Sequence, residues 1–296
     1  MTNNDGRSER LLGMLMDCAM NALMKSNLQK LEGQFIHLLS QLIAVACLTV
    51  PLAGQDASAT LLTPENQQKI ELAVWKYAID RPLLVQTIEW FRNLTRDSRE
   101  PTAIAELSRL EFMRAQLELD KKRRIQLFEN CINVADQALA LNENEVRGLF
   151  WKAAAMGKMA EDSGVLNALR MLRPMEKMLL NVVALDEKYE NAGGHRALGR
   201  MYHKLPGFPI SFGSNQKALK HLKRAHDLFP QDVITRAFYA ELLLDEGKMD
   251  EARKHADFVL ATPIAEEDAR EYAEYVNIAL AVIEKTGGAP LRLGSK

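Results

Sequence analysis

Gly193 to Pro230 reads G-G-H-R-A-L-G-R-M-Y-H-K-L-P-G-F-P-I-S-F-G-S-N-Q-K-A-L-K-H-L-K-R-A-H-D-L-F-P, and its reading decides the fold. Leu198, Gly199 and Tyr202 stand in L-G-x-x-Y spacing, which puts all of them on one face of a predicted helix. Ala218, Leu222, Ala225 and Pro230 repeat as A-x3-L-x2-A-x4-P, the small-large-small face of a second helix that ends at a proline. Antiparallel helices are ordinarily joined by a few residues, so Pro206 to Gly213 is surplus and is expected to project from the hairpin.

These spacings are those of the tetratricopeptide (TPR) repeat, and the chain on either side continues them. Composition agrees: 47% of residues are hydrophobic, and Ala, Leu and Met are frequent, as helices require. Thr63-Pro64-Glu65 is a helix start, with a capping hydroxyl, a preset first position and an early acid. The helix it opens is expected to reach Ile79 with Leu72, Trp75 and Ala78 as its apolar stripe. Pro82 begins its partner, which carries Val85, Ile88, Trp90 and Phe91. Ile104, Leu107, Leu110, Met113 and Leu117 keep helical spacing next. Ile125 to Leu141 follows, with Cys131, Ala135 and Ala138 at the small positions. The third hairpin opens at Leu149 and closes near Asp186. Its swollen turn, Gly164 to Arg173, reads as a short extra helix, with Pro174 restarting the main one. Ala240, Gly247 and Ala252 mark a fifth hairpin, and Glu266 to Lys285 reads as a capping helix. The predicted fold is thus all-α, a TPR-like α-solenoid of about five helical hairpins plus a C-terminal capping helix. It occupies residues 60–285, between an N-terminal extension and signal at 1–59 and a disordered tail at 286–296.

Within the first segment, Lys25 and Lys30 precede an apolar run from Phe35 to Ala46, the layout of an export signal. Met24 reads as the true start. Two exits are open: Ala57-Ser58-Ala59 would release a soluble chain beginning at Thr60, and Ala44-Val45-Ala46-Cys47 is an imperfect lipobox that would lipidate Cys47. An uncleaved anchor over Phe35 to Ala53 is the third reading. The expected location is the periplasm, soluble or lipid-anchored, with membrane contact through this segment alone.

The chemistry-bearing motifs are few. Formal net charge is −1, and phosphate neutralisation needs a net basic face, so nucleic acid is not an expected partner. No phosphate-cradling glycine motif occurs. The six histidines show no i, i+4 pair, and the three cysteines show no zinc spacing. Neither metal, cofactor nor catalytic residues are therefore expected. Gly193 and Gly194 read as the turn between repeats, with His195 capping the helix and Arg196 beside it. Lys121-Lys122-Arg123-Arg124 reads as a solvated helix start. Lys217, Lys220, Lys223 and Arg224 are expected to pair with Glu241, Asp245, Glu246, Asp250 and Glu251 of the next hairpin. Phe208, Ile210 and Phe212 would be costly to leave in water, so they are expected to cover the groove, line a pocket or meet another subunit.

The runs Phe150 to Ala160, Ala184 to Phe208 and Ser214 to Ala225 resemble the TatT family, periplasmic TPR-like proteins associated with TRAP transporters. The resemblance implies a non-enzymatic, exported protein that oligomerises, docks the periplasmic substrate-binding protein of the transporter and shelters an apolar ligand. On that basis the partner or ligand residues are His195, Arg196, Tyr202, Leu205, Phe208, Ile210, Phe212, Phe150 and Trp151. A weaker likeness to the regulator of microtubule dynamics proteins leaves a second reading, a TPR adaptor for a peptide or envelope partner.

Overall fold

The computed structural model describes residues 60–163, 165–264 and 269–287, which belong to the second of two units into which the chain divides after Ser58. The expectations for residues 1–59, Cys47 included, and for the tail from 288 lie outside the described residues. Among those described, eleven helices follow one another with no strand. They are α1 (Pro64–Trp75), α2 (Arg81–Thr95), α3 (Pro101–Gln116), α4 (Lys121–Leu141), α5 (Val146–Asp162), α6 (Val165–Leu185), α7 (Tyr189–Lys204), α8 (Asn215–Leu228), α9 (Val233–Asp245), α10 (Met249–Ala261) and α11 (Ala269–Lys285). The first ten pair as five hairpins, and α11 packs on the last.

The starts of these helices are written locally. The side chains of Thr63, Asp80, Asp120, Ser214 and Asp232 each accept a hydrogen bond from the backbone N–H three residues on, satisfying a donor that the first turn leaves free. Hairpins then stack because each has an apolar face it cannot bury alone. Odd-numbered helices lie beside one another along the stack, α1 against α3, α3 against α5, α5 against α7 and α7 against α9. Phe91, Leu110, Phe128, Leu198, Leu222, Leu242 and Ile283 are fully buried between the odd and even helices of the stack. Close approach is allowed by small residues: Ala73, Ala103, Cys131, Ala135, Ala155, Ala218, Ala225, Ala240 and Ala252 are also out of solvent.

Four local expectations are corrected. In α1 the buried stripe is Ile70, Ala73 and, just beyond the helix, Tyr77, while Leu72 and Trp75 face water. Among the described residues no repeat precedes the first hairpin to cover its outer side. Pro174 does not restart a helix, because α6 runs through it from Val165 to Leu185. Gly193 and Gly194 are not the turn. They sit inside α7, and the turn is made by Glu190, Asn191 and Ala192, whose φ values of 50°, 53° and 60° are left-handed. The glycines serve packing: a Cβ on Gly193 would lie 2.7 Å from the Phe150 ring, and one on Gly194 3.0 Å from Val182. His195 accordingly lies within the helix rather than at its cap.

Gly199 follows the same rule, since a Cβ there would come within 2.5 Å of Leu222 Cγ. Gly199→Ala is expected to lower unfolding free energy by about 1–3 kcal/mol, the usual cost of overpacking. Gly207→Ala, where the nearest atom is 3.7 Å away, is expected to stay within about 0.5 kcal/mol of the parent. Urea denaturation of both variants measures the difference.

Candidate functional site

Helices α5, α6, α7, α9 and α11, with Phe112 of α3, line an open-sided cavity of about 700 Å³. Its walls are mainly apolar, with Phe150, Leu172, Met175, Leu179 and Met201 in the middle and Phe238 with Tyr275 toward α11. Room is left by small residues: Ala153, Ala154, Gly157 and Ala197 turn toward the space that larger side chains would fill. A shallower groove of about 550 Å³ follows between α9 and α11, lined by Leu244, Ile278 and Ala281 and sharing Glu274 with the first.

One wall is basic. Arg196, Arg200 and Lys204 stand four residues apart on α7, so they rise in a row along the cavity. Each is already paired. Arg196 donates to the carbonyl oxygens of Asn191 (3.2 Å) and Glu190 (3.3 Å) and to Asp232 (3.2 Å), pinning the left-handed turn from which α7 departs. Left-handed backbone costs roughly 1–2 kcal/mol per non-glycine residue, so these bonds offset part of a local strain. Arg200 binds Glu241, lies 3.9 Å from Glu274 of α11 and stacks on Phe238 at 4.3 Å. Lys204 reaches Glu241 at 2.6 Å. Burial opposes ionisation of Glu241, but Lys204 and Arg200 prevail and hold its carboxyl below the usual range. The expected pairing of α8 cations with this acidic set is therefore corrected. Glu241 is served from α7, while Lys223 pairs with Asp227 on its own helix and Arg224 with Glu187 of the preceding repeat.

Of the residues expected at a partner or ligand surface, Phe150, Arg196 and Leu205 line the cavity. Trp151 is buried behind it, its indole N–H donating to the Tyr189 hydroxyl at 3.0 Å. Tyr202 is buried too and donates to Glu176 at 2.7 Å. Phe212 packs edge-on to Tyr202 and beneath the Arg173 guanidinium, 3.9 Å from its ring centre. Phe208 and Ile210 project into solvent and do not line the cavity. Residues not singled out from the sequence complete the site: Met175, Met201, Phe238, Arg200 and Lys204. The i+4 steps from Arg196 would have pointed to the two cations.

His195 is buried and meets His221 across the hairpin, Nδ1 to Nδ1 at 2.9 Å. His226 and His255 meet edge to face from α8 and α10, ring centres 4.8 Å apart, and Arg236 reaches the His255 Nδ1. Spacing within a helix does not reveal these pairs, because they form between helices. Among the described residues, no group of three or more His, Cys, Asp or Glu is placed to hold a metal ion. Burial pushes the Cys131 thiol up, leaving it an inert core group. Among the described residues no helix is long and apolar enough to cross a membrane.

A family model described as TRAP transporter T-component matches residues 107–273, more than half of the chain. No curated protein matches the sequence. Among solved structures, a thermophilic TPR protein of Thermus thermophilus is similar, with a TM-score of 0.52, 20% identity, and coverage of 73% of this chain and 99% of that one. YrrB, described as a TPR protein with an unusual peptide-binding site, has a TM-score of 0.41 at 18% identity, over 66% and 90% of the two chains. MamA of Desulfovibrio magneticus RS-1 has 0.42 at 15%, over 65% and 93%. The Thermus protein bears out the TPR-like solenoid, and the other two are too distant to add to it.

The histidine pairs give stability a pH dependence. Burial, then His195, Lys220 and Lys217, lower His221 to about 4, and burial with His226 and Arg236 does the same to His255. The folded state thus holds them neutral, whereas the unfolded chain protonates them near their ordinary value of about 6.5. Stability is full above pH 6.5 and falls as the pH drops toward 4. Thermal melts are expected to show a falling melting temperature between pH 7 and 4.5, and His255→Phe is expected to flatten that slope.

Proposed function

We propose that this chain, which belongs to the TRAP transporter T-component family, is a non-enzymatic periplasmic accessory of solute uptake that docks the transporter's substrate-binding protein and holds an apolar ligand. The observation that carries the ligand half is the cavity. An apolar interior of about 700 Å³ is the size and character of a small-molecule site rather than of a packing defect. Phe150, Leu205, Met175 and Phe238 would surround the apolar body of the ligand. Arg196, Arg200 and Lys204, each held by an acidic partner, would fix its polar end at the wall.

Family membership supports the partner half. TPR-like stacks bind through extended surfaces, and the exposed faces of the helices flanking the cavity mouth are where a substrate-binding protein would hand its solute over. The two halves are separable in the molecule, because a cavity-filling change need not alter an outer surface.

Native co-purification with the substrate-binding protein of the cognate transporter is the first test, and recovery of a 1:1 or higher-order complex is expected. Ala154→Trp, which places an indole in the cavity, is expected to weaken binding of an apolar fluorescent probe by at least about tenfold while leaving that complex intact. Unchanged probe affinity in the variant would remove the ligand half. Absence of any complex would remove the partner half.

A further inference from the structure

The hairpin turns within repeats share one edge of the stack, and side-chain contacts tie them in sequence. Arg81 lies 3.7 Å from Glu118, joining the α1–α2 turn to the α3–α4 turn. Arg124 binds Asp162 at 2.6 Å, joining the second to the third. Arg173 of α6 stacks on Phe212 of the α7–α8 loop, and Asn215 donates to Glu246 of the fifth turn at 2.6 Å. This edge carries the large apolar side chains that are most exposed among the described residues: Phe208 at 93%, Leu119 at 78% and Ile210 at 75%. Water is a poor environment for all of them, and the chain's own surface covers none.

Each apolar tip stands among cations. Leu119 precedes Lys121, Lys122 and Arg123, all exposed at the start of α4. Phe208 and Ile210 lie between Lys204, which is paired with Glu241, and Lys217, and no Asp or Glu occurs from His203 to Lys217. The ion pairs of this edge, Glu118 with Arg81 and Arg123, Asp162 with Arg124, Glu161 with Lys158 and Glu176 with Arg173, use up acids and cations alike, so the basic surplus rests on Lys121, Lys122 and Lys217. The fifth turn differs. Asp245, Glu246, Asp250 and Glu251 make it acidic, so the basic and apolar stretch ends at the fourth.

From this geometry we infer that the edge formed by the second and fourth turns rests on an anionic lipid surface, with Phe208, Ile210 and Leu119 entering the headgroup boundary and Lys121, Lys122 and Lys217 facing lipid phosphates. Apolar tips ringed by cations are the pattern of interfacial attachment, in which burial and attraction to anionic lipid add. A protein socket would suit one projecting loop. Tips on two separate turns of one edge suit a flat partner. The contact is additional to any made by the N-terminal segment, and it does not rest on the solute-uptake reading.

The test uses the full chain and vesicles of phosphatidylcholine alone or mixed with phosphatidylglycerol. Partition is expected to favour the anionic vesicles and to fall with added salt, and Phe208→Ser/Ile210→Ser is expected to reduce it about tenfold or more. Lys121→Glu/Lys122→Glu is expected to reduce it as well, while melting temperatures stay at the parent value because all four side chains are exposed. Phe208→Trp read against the parent supplies the direct signal: brominated lipid should quench the added indole. Equal partition of parent and variants, or an unquenched indole, would overturn the proposal. So would loss of substrate-binding protein capture in Phe208→Ser/Ile210→Ser with vesicle partition unchanged, since the edge would then be a protein contact.

Discussion

Helices can lie close together only where the side chain facing the neighbour is small, and this constraint shapes the whole stack. Fully buried alanines recur from Ala73 in α1 to Ala279 in α11, and Cys131 serves the same purpose in α4. At the tightest points even alanine is too large. Gly199 accepts Leu222 against its backbone, and Gly193 accepts the Phe150 ring. The second contact has a functional side, because Phe150 also walls the cavity. A glycine in α7 thus sets the depth to which that ring can withdraw.

The cavity exists because the stack does not close uniformly. Between α5 and α7 the facing residues are small or flexible, Ala153, Gly157, Ala197 and Met201, and α6 stands back behind Leu172 and Met175. Methionine adapts to irregular space at little conformational cost, which suits a wall that must remain apolar whether or not it is filled. The cations of α7 are kept from collapsing inward by Asp232, Glu241 and Glu274, contributed by α9, its cap and α11. One row of arginines and lysine therefore joins α7 to α9 and α11 and borders the apolar space at once. Its left-handed departure point, Glu190 to Ala192, is held by the same Arg196.

Much of the architecture was legible in the sequence because it is local and periodic. Helix caps such as Thr63, Asp120 and Ser214, and small-residue spacing such as Ala218-x3-Leu222-x2-Ala225, act within a few residues of themselves. The misreadings share a cause. Gly193 and Gly194 look like a turn because glycine usually marks one, yet the pressure on them comes from Phe150 and Val182 in other helices. Leu72 and Trp75 look like core because they are apolar, yet no repeat precedes α1 in the described residues to cover them. The histidines look solitary because their partners are 26 and 29 residues away in sequence, as His195 with His221 and His226 with His255 show.

The candidate site divides along the same line. Phe150, Arg196 and Leu205 could be named from the sequence because they sit in the stretches that carry the family likeness. That Trp151 and Tyr202 turn inward, while Met175, Phe238 and Arg200 turn toward the cavity, depends on how far each helix rotates against its neighbour. By itself the sequence determined the helices, their pairing and their order, since those follow from periodicity and capping. Tertiary structure alone decided which apolar residues enclose space and which, like Phe208 and Ile210, are left facing outward. Burial is a property of neighbours brought together by the stack, and no residue carries it alone.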